Sequence, residues 1–221
     1  MLSQASSSTT SQKPRGQLRC GKLTDYVPLE GFTVVNCCST SKDQLYRQLS
    51  PMLLGPYTYE TDTSTGDKDF HQPIHNLENF WQFSKVWDGE ETFDKSTNQM
   101  IPSKVFFDRR AEGWADKKAH RWVKKGEKPL YAWWKGQKLD YMQARRTIYC
   151  PLYAEKVVQT EGYHKLEKML ECGYNLQIVG YDGYDYHAES MSLSDAFNDV
   201  SRPFGHELVL CGLLTNDFVW Q

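Results

Sequence analysis

With 221 residues, 39% hydrophobic and 14% aromatic, the chain is long enough for one well-packed domain with a sizeable core and for a pocket that stacks planar rings. No apolar run reaches the roughly 18 to 20 residues that span a bilayer, and the N-terminus lacks the apolar core of a secretory signal, which excludes a membrane partner and points to a soluble, intracellular protein. The formal net charge of −2 conceals an uneven distribution: Lys and Arg crowd the stretch from Arg109 to Lys128, where an anionic partner is expected, and acids dominate from Asp182 to Asp217.

Residues 1–28 read as a flexible or surface-docked N-terminal arm, because Met1 to Gly16 is rich in Ser, Thr, Gln and Lys with almost nothing to bury. The single domain is expected over 29–221. Phe32 to Val35 predicts a short strand, and Ser41 to Leu49 a short helix with Ser41 as N-cap. Thr58 to His71 reads as a loop, after which Asn76 caps a helix predicted to run to about Trp87. Ala111 to Lys125 predicts a strongly basic helix. Leu139 to Thr160 is helical in pattern but carries Pro151, which kinks or splits it. Tyr163 to Glu171 predicts a helix closed by Gly173 in a left-handed conformation. One short strand is expected around Leu176 and Ile178, and a last apolar helix over Gly205 to Leu214. The sum is a mainly α fold with a few short strands. The six cysteines (Cys20, Cys37, Cys38, Cys150, Cys172 and Cys211) contain no CxxC pair and read as reduced, mostly buried thiols.

Glu78, Gln82 and Lys85 stand at i, i+4 and i+7, so on a helix they share one side over roughly 10 Å of axis. Their neighbours Leu77, Phe80, Trp81, Phe83, Val86 and Trp87 leave little of this segment polar. A lysine in such surroundings loses hydration and its pKa falls, as an amine nucleophile requires.

These residues resemble the NADAR (YbiA-like) family, whose helix has the form Glu-x-x-aromatic-Gln-x-x-Lys, here Glu78, Trp81, Gln82 and Lys85. The resemblance runs from about Leu49 to Leu214 in the family's order. Ser50 to Pro56 is similar to its Ser followed six residues later by Pro. Leu130, Trp134, Lys138 and Met142 are similar to its Leu-x3-Trp-x3-Lys-x3-Met. Asp182-Gly183-Tyr184 resembles its Asp-x-Tyr, and Phe204-Gly205 its closing Leu-Gly before an apolar helix. The chain departs from the pattern at Pro51, at Tyr149-Cys150, at Asp185-Tyr186 in place of Trp-Gly, and at Arg202 in place of Asn.

The resemblance implies a single-domain YbiA-like helical fold and an N-glycosidase. The bond cleaved would join ribose to nitrogen, in an ADP-ribosylated nucleobase such as ADP-ribosyl-guanine or in a ribosyl-phosphate metabolite. It assigns Lys85 as the nucleophile that forms a Schiff base, Glu78 as the acid/base and Asp182 as an orienting or proton-handling partner. Ser50, Trp81, Gln82, Trp134, Lys138, Met142, Tyr184, Arg202 and Gly205 are the substrate contacts it implies, with no cofactor and no metal. Nucleic acid carrying such a base is a further class of partner. The rival reading is a non-catalytic module that binds ADP-ribose-like or nucleic-acid phosphates.

The basic stretch (Arg109, Arg110, Lys117, Lys118, Arg121, Lys124, Lys125 and Lys128), interleaved with Trp114 and Trp122, suits a phosphate-bearing ligand, although Asp108, Glu112, Asp116 and Glu127 dilute it towards a solvated face. His71 and His75 have helical spacing for a metal but no third ligand. His206 reads as a cap or packing residue, and Trp133-Trp134 as core.

Overall fold

The computed structural model describes residues 14–60 and 72–221. It begins with strands β1 (Leu18–Lys22) and β2 (Phe32–Asn36), then helices α1 (Gln44–Arg47) and α2 (Leu77–Phe83). Strands β3 (Lys85–Val86), β4 (Glu91–Asp94) and β5 (Gln99–Pro102) lead into helix α3 (Lys104–Ala115) and strands β6 (Tyr131–Trp134) and β7 (Gln137–Leu139). Helix α4 (Tyr141–Ala144), a π-helical turn over Arg145–Tyr149, α5 (Cys150–Val157) and α6 (Glu161–Glu171) follow, before β8 (Asn175–Gly180), α7 (Leu193–Asn198) and α8 (His206–Thr215). With 34% helix and 18% strand in three sheets, one of them parallel, this is a mixed α/β protein, which corrects the mainly α, YbiA-like helical expectation. The strands run two to six residues, and β1, β2 and β3 pair with strands far away in sequence, so local periodicity gives little sign of them.

β8 is the organising strand: β1 and β2 flank it, both parallel, with Leu18 opposite Leu176 and Val35 opposite Ile178. Leu176, Ile178 and Val179 are all buried, as a parallel sheet covered by helices requires. α8 packs on β1 and β8, α6 on β8 and α1 on β2. β1 lies inside the stretch read as an arm, and Cys20 within it is fully buried, so the domain starts before residue 29. Only Leu18 and Cys20 are apolar in that strand. Pairing with β8, 158 residues further on, supplies what its own sequence does not announce. α8 is buried on nearly every residue, consistent with its unbroken apolar run.

Several helix boundaries follow local chemistry. Asn76 caps α2 as expected, its side chain accepting from the Asn79 amide at 2.8 Å. The helix stops at Phe83, four residues short of the expected end. Ser84 donates its hydroxyl to the Phe80 carbonyl at 2.7 Å, and its own carbonyl accepts from the Trp133 amide at 2.9 Å, so the chain turns into β3. Lys85 therefore stands on a strand beside Ala132, not on a third helical turn. α1 is capped by Asp43, whose carboxylate accepts from the Leu45 and Tyr46 amides, two residues beyond the expected Ser41.

The basic helix is displaced as well: α3 ends at Ala115, and Asp116 is extended with ψ 129°. The buried Asn79 side chain donates to the carbonyls of Asp116 (3.0 Å) and Lys118 (2.9 Å) and accepts from the His120 amide (2.8 Å), fixing 116–120 as a loop. The helical stretch that carries Pro151 is interrupted, as expected: α4 gives way to the wider π turn of Arg145–Tyr149, and Pro151 stands in the first turn of α5. α6 and its closing Gly173, at φ 81°, lie where expected.

The buried apolar side chains form three clusters, one around the parallel sheet and α8, one around Phe80 and Trp114, and a small one around Phe106 and Trp133. Trp81 and Leu152 touch the first two. Among the described residues no helix is long and apolar enough to cross a membrane.

Candidate active site

Because β2 and β8 run parallel, their C-terminal ends open on the same side, where crevices for ligands form in α/β sheets. β2 delivers Cys38, β8 delivers Tyr181 and Asp182, and α8 begins there with His206. The first turn of α2 adds Glu78 and Gln82, the loop pinned by Asn79 adds Arg121 and Trp122, and the segment after α1 adds Ser50, Pro51 and Met52. Together with Tyr149 these line a cavity of about 370 Å³. A smaller recess of about 90 Å³ shares Glu78, Gln82, Tyr149 and Asp182 and adds Trp81, Arg145, Phe204 and Gly205.

At the centre is a hydrogen-bonded row. Lys85 Nζ donates to Gln82 Oε1 at 2.8 Å, and Gln82 Nε2 donates to Glu78 Oε1 at 2.9 Å. The Lys85 ammonium also lies 4.7 Å from the centre of the Trp81 ring, which stacks at a tilt on Tyr149 at 5.2 Å. Burial lowers the Lys85 pKa to about 8, although the Glu78 carboxylate opposes the shift. Burial raises Glu78, against the hydrogen bond from Gln82 and the charge of Lys85. Asp182 is raised too, by desolvation in the cavity wall, with the His206 charge opposing.

The His206 ring is clamped from both sides. Its Nδ1 lies 3.1 Å from Glu207 Oε2, and its Nε2 is 3.1 Å from the Cys37 carbonyl and 3.3 Å from Cys37 Sγ. Burial alone would favour the neutral ring, but the Glu207 carboxylate and the Cys38 thiol raise its pKa to about 9. Glu207 is fully buried under three glycines: a Cβ on Gly180 or Gly205 would come within 2.5 or 2.6 Å of its carboxylate group, and one on Gly183 within 3.1 Å of its Cγ. Cys37, His206 and Glu207 form a compact donor set, with one potential ligand atom from each lying within 4.8 Å of the others. His71 lies outside the described residues.

The structure brings Glu78, Gln82, Trp81, Ser50, Asp182 and Gly205 to the two recesses. Lys85 is not among the residues lining either one and reaches them through Gln82. Other expected contacts lie elsewhere. Lys138 pairs with Glu91 at 2.8 Å and, with Trp133, borders a separate cavity of about 590 Å³. Trp134 packs edge-on against Phe80 beside another cavity, of about 510 Å³. Met142 packs against the main core, and the Tyr184 hydroxyl donates to the Ala196 carbonyl at 3.3 Å. Arg202 pairs with Glu189 at 2.7 Å and lies over the Tyr184 ring, so its guanidinium is committed outside the recesses.

The basic stretch divides in the same way. Arg109 holds the buried Glu90 at 2.6 Å and Arg110 lies among Phe106, Phe107 and Trp114, both structural, whereas Arg121 lines the cavity with its guanidinium 4.7 Å from the Tyr181 ring. Sequence reasoning missed Cys38, Tyr149, Tyr181 and Glu207 and discounted His206. The one signal for His206 was its place beside Gly205 at a helix start. Comparison with family models, with curated proteins and with solved structures gives no match.

Proposed function

We propose that the chain is an N-glycosidase acting on a ribose–nitrogen bond in an ADP-ribosylated nucleobase, free or in nucleic acid, or in a related ribosyl phosphate. The observation that carries this reading is the row Lys85–Gln82–Glu78, in which burial moves the amine towards neutrality and the carboxyl towards its protonated form at the edge of one cavity. Groups shifted in these opposite senses suit a nucleophile and a proton donor near neutral pH. In this reading the Gln82 amide swings aside as substrate enters. The neutral Lys85 amine attacks the anomeric carbon, the carbon–nitrogen bond breaks, and Glu78 protonates the departing base. Ring opening leaves an imine on Lys85, which water hydrolyses to regenerate the amine. Arg121 suits a substrate phosphate, and the exposed Trp122 ring with Tyr181 suits the base. Six free thiols are in keeping with an intracellular setting.

The second reading, a binding module, is favoured by one observation: Lys85 is turned to Gln82 and lines neither recess. Incubation with ADP-ribosylated guanine substrates and with aminopyrimidine ribosyl phosphates, followed by mass spectrometry, separates the two. Release of free base supports the glycosidase; saturable binding without release supports the module.

A further inference from the structure

Lys85, Gln82 and Glu78 carry the chemistry proposed above and leave a second cluster, at the start of α8, without a role. Cys37 enters it from the end of β2, and His206 and Glu207 from the first turn of α8. Glu207 is the anomaly. Its side chain is fully buried, yet neither carboxylate oxygen receives a hydrogen bond from the described residues; His206 Nδ1 lies 3.1 Å from Oε2 without forming one. A buried carboxylate that has lost its hydration is ordinarily met by donors or by a cation. Gly180 and Gly205 close on this carboxylate so tightly that neither position has room for a Cβ, and whatever meets it must therefore be small.

The neighbours supply donors of the right kind. One ligand atom from each of Cys37, His206 and Glu207 lies within 4.8 Å of the others, with His206 Nε2 3.3 Å from Cys37 Sγ and Nδ1 on the Glu207 side. Zinc bonds of about 2.3 Å to sulfur and about 2.0–2.2 Å to nitrogen and oxygen put tetrahedral donors roughly 3.3–3.7 Å apart. An ion that takes one ring nitrogen therefore closes the set by drawing the farther side chain in by roughly 1 Å.

We propose that Cys37, His206 and Glu207 form a binding site for a single divalent cation of the zinc class, which ties the end of β2 to the start of α8 beneath the cavity wall.

The donors decide the class. A thiolate with an imidazole and one carboxylate suits borderline-soft zinc, whereas magnesium and calcium take oxygen ligands. On binding, Cys37 gives up its thiol proton to solvent, and its hydrogen bond to the Val179 carbonyl at 3.3 Å is exchanged for the bond to the metal. Three protein ligands leave one tetrahedral position for water. Cys37 and His206 stand 169 residues apart, so the donor set exists only in the folded chain and the ion stabilises that state selectively.

The test is titration of the full-length protein with cobalt(II) and with zinc after dialysis against a chelator. One equivalent of cobalt should produce a thiolate-to-cobalt charge-transfer band together with the intense visible bands of a tetrahedral site, and zinc should displace both. The bands should persist in Cys38→Ser and in Cys172→Ser and disappear in Cys37→Ser. Glu207→Gln, which keeps the shape of the side chain, should weaken zinc binding by at least about 10-fold. In the parent protein, zinc at about 100 times Kd should raise Tm by about 5–10 °C. The absence of a thiolate band at one equivalent, a band that survives Cys37→Ser, or an unchanged zinc affinity in Glu207→Gln would overturn the proposal. If Cys37→Ser does not fold, the parent spectrum and Glu207→Gln decide it. The titration needs no substrate, so its outcome is independent of the glycosidase reading.

Discussion

Replacing Asn79 tests how the cavity's basic edge is held. The side chain is fully buried and makes three hydrogen bonds to the backbone of Asp116, Lys118 and His120, at 2.8 to 3.0 Å. Each contributes about 0.5–1.5 kcal/mol net, and truncation strands partly buried backbone groups, so Asn79→Ala should cost about 2–4 kcal/mol. In a domain of this size that lowers Tm by roughly 5–15 °C. Asn79→Asp is the sharper probe, because it keeps the acceptor for His120 but sets a carboxylate oxygen against two carbonyls, and it should cost at least as much as alanine. Urea denaturation gives the free energies, and titration with ADP-ribose reports on the freed Arg121 loop, where affinity should fall in both variants. A loss below about 0.5 kcal/mol in both would refute the view that Asn79 pins this loop.

Four further outcomes are expected. Turnover should rise with pH through about 8 as Lys85 loses its proton. Its folded pKa is below the unfolded value of about 10.4, so the ammonium disfavours folding at low pH and stability should climb between about 8 and 10.4; an unchanged slope in Lys85→Met would contradict this. Gly205→Ala places a Cβ 2.6 Å from Glu207 Oε2 at an ordinary φ of −73°, so contact alone should destabilise the fold by about 1–3 kcal/mol; a neutral variant in denaturant titration would show that α8 yields. Arg121→Gln should weaken ADP-ribose binding by about 10-fold or more, whereas charge reversal at the exposed Lys117 and Lys118 should change it little. Equal effects at the two places would return the phosphate to a diffuse basic face.

What could be read from the sequence was local. Asn76 as cap, α6 with Gly173 behind it and the apolar α8 depend on neighbours within a turn or two and lie near their expected places. The end of α2 did not, because Ser84 answers to Trp133, and the expected basic helix gave way to a loop that answers to Asn79. Strands β3 to β7 run only two to four residues, too few for a period to emerge, and β1, though as long as β2, is recognisable only once β8 is beside it. The site followed the same division. Glu78 and Gln82 share a helix face and were legible together, while Cys37 and His206 meet across 169 residues of sequence. Lys138 and Arg202 were expected at the substrate but found acidic partners instead, Glu91 and Glu189, that no spacing rule foretells.

The central claim concerns the Lys85 amine, and borohydride added while the protein acts on an ADP-ribosylated guanine substrate tests it most directly. Reduction of the imine should leave a sugar covalently bound to Lys85, located by peptide mass spectrometry, and both turnover and adduct should vanish in Lys85→Arg, which stays protonated. Base release with no adduct, or full activity in Lys85→Arg, would contradict the assignment and leave Glu78 and Asp182 to activate water.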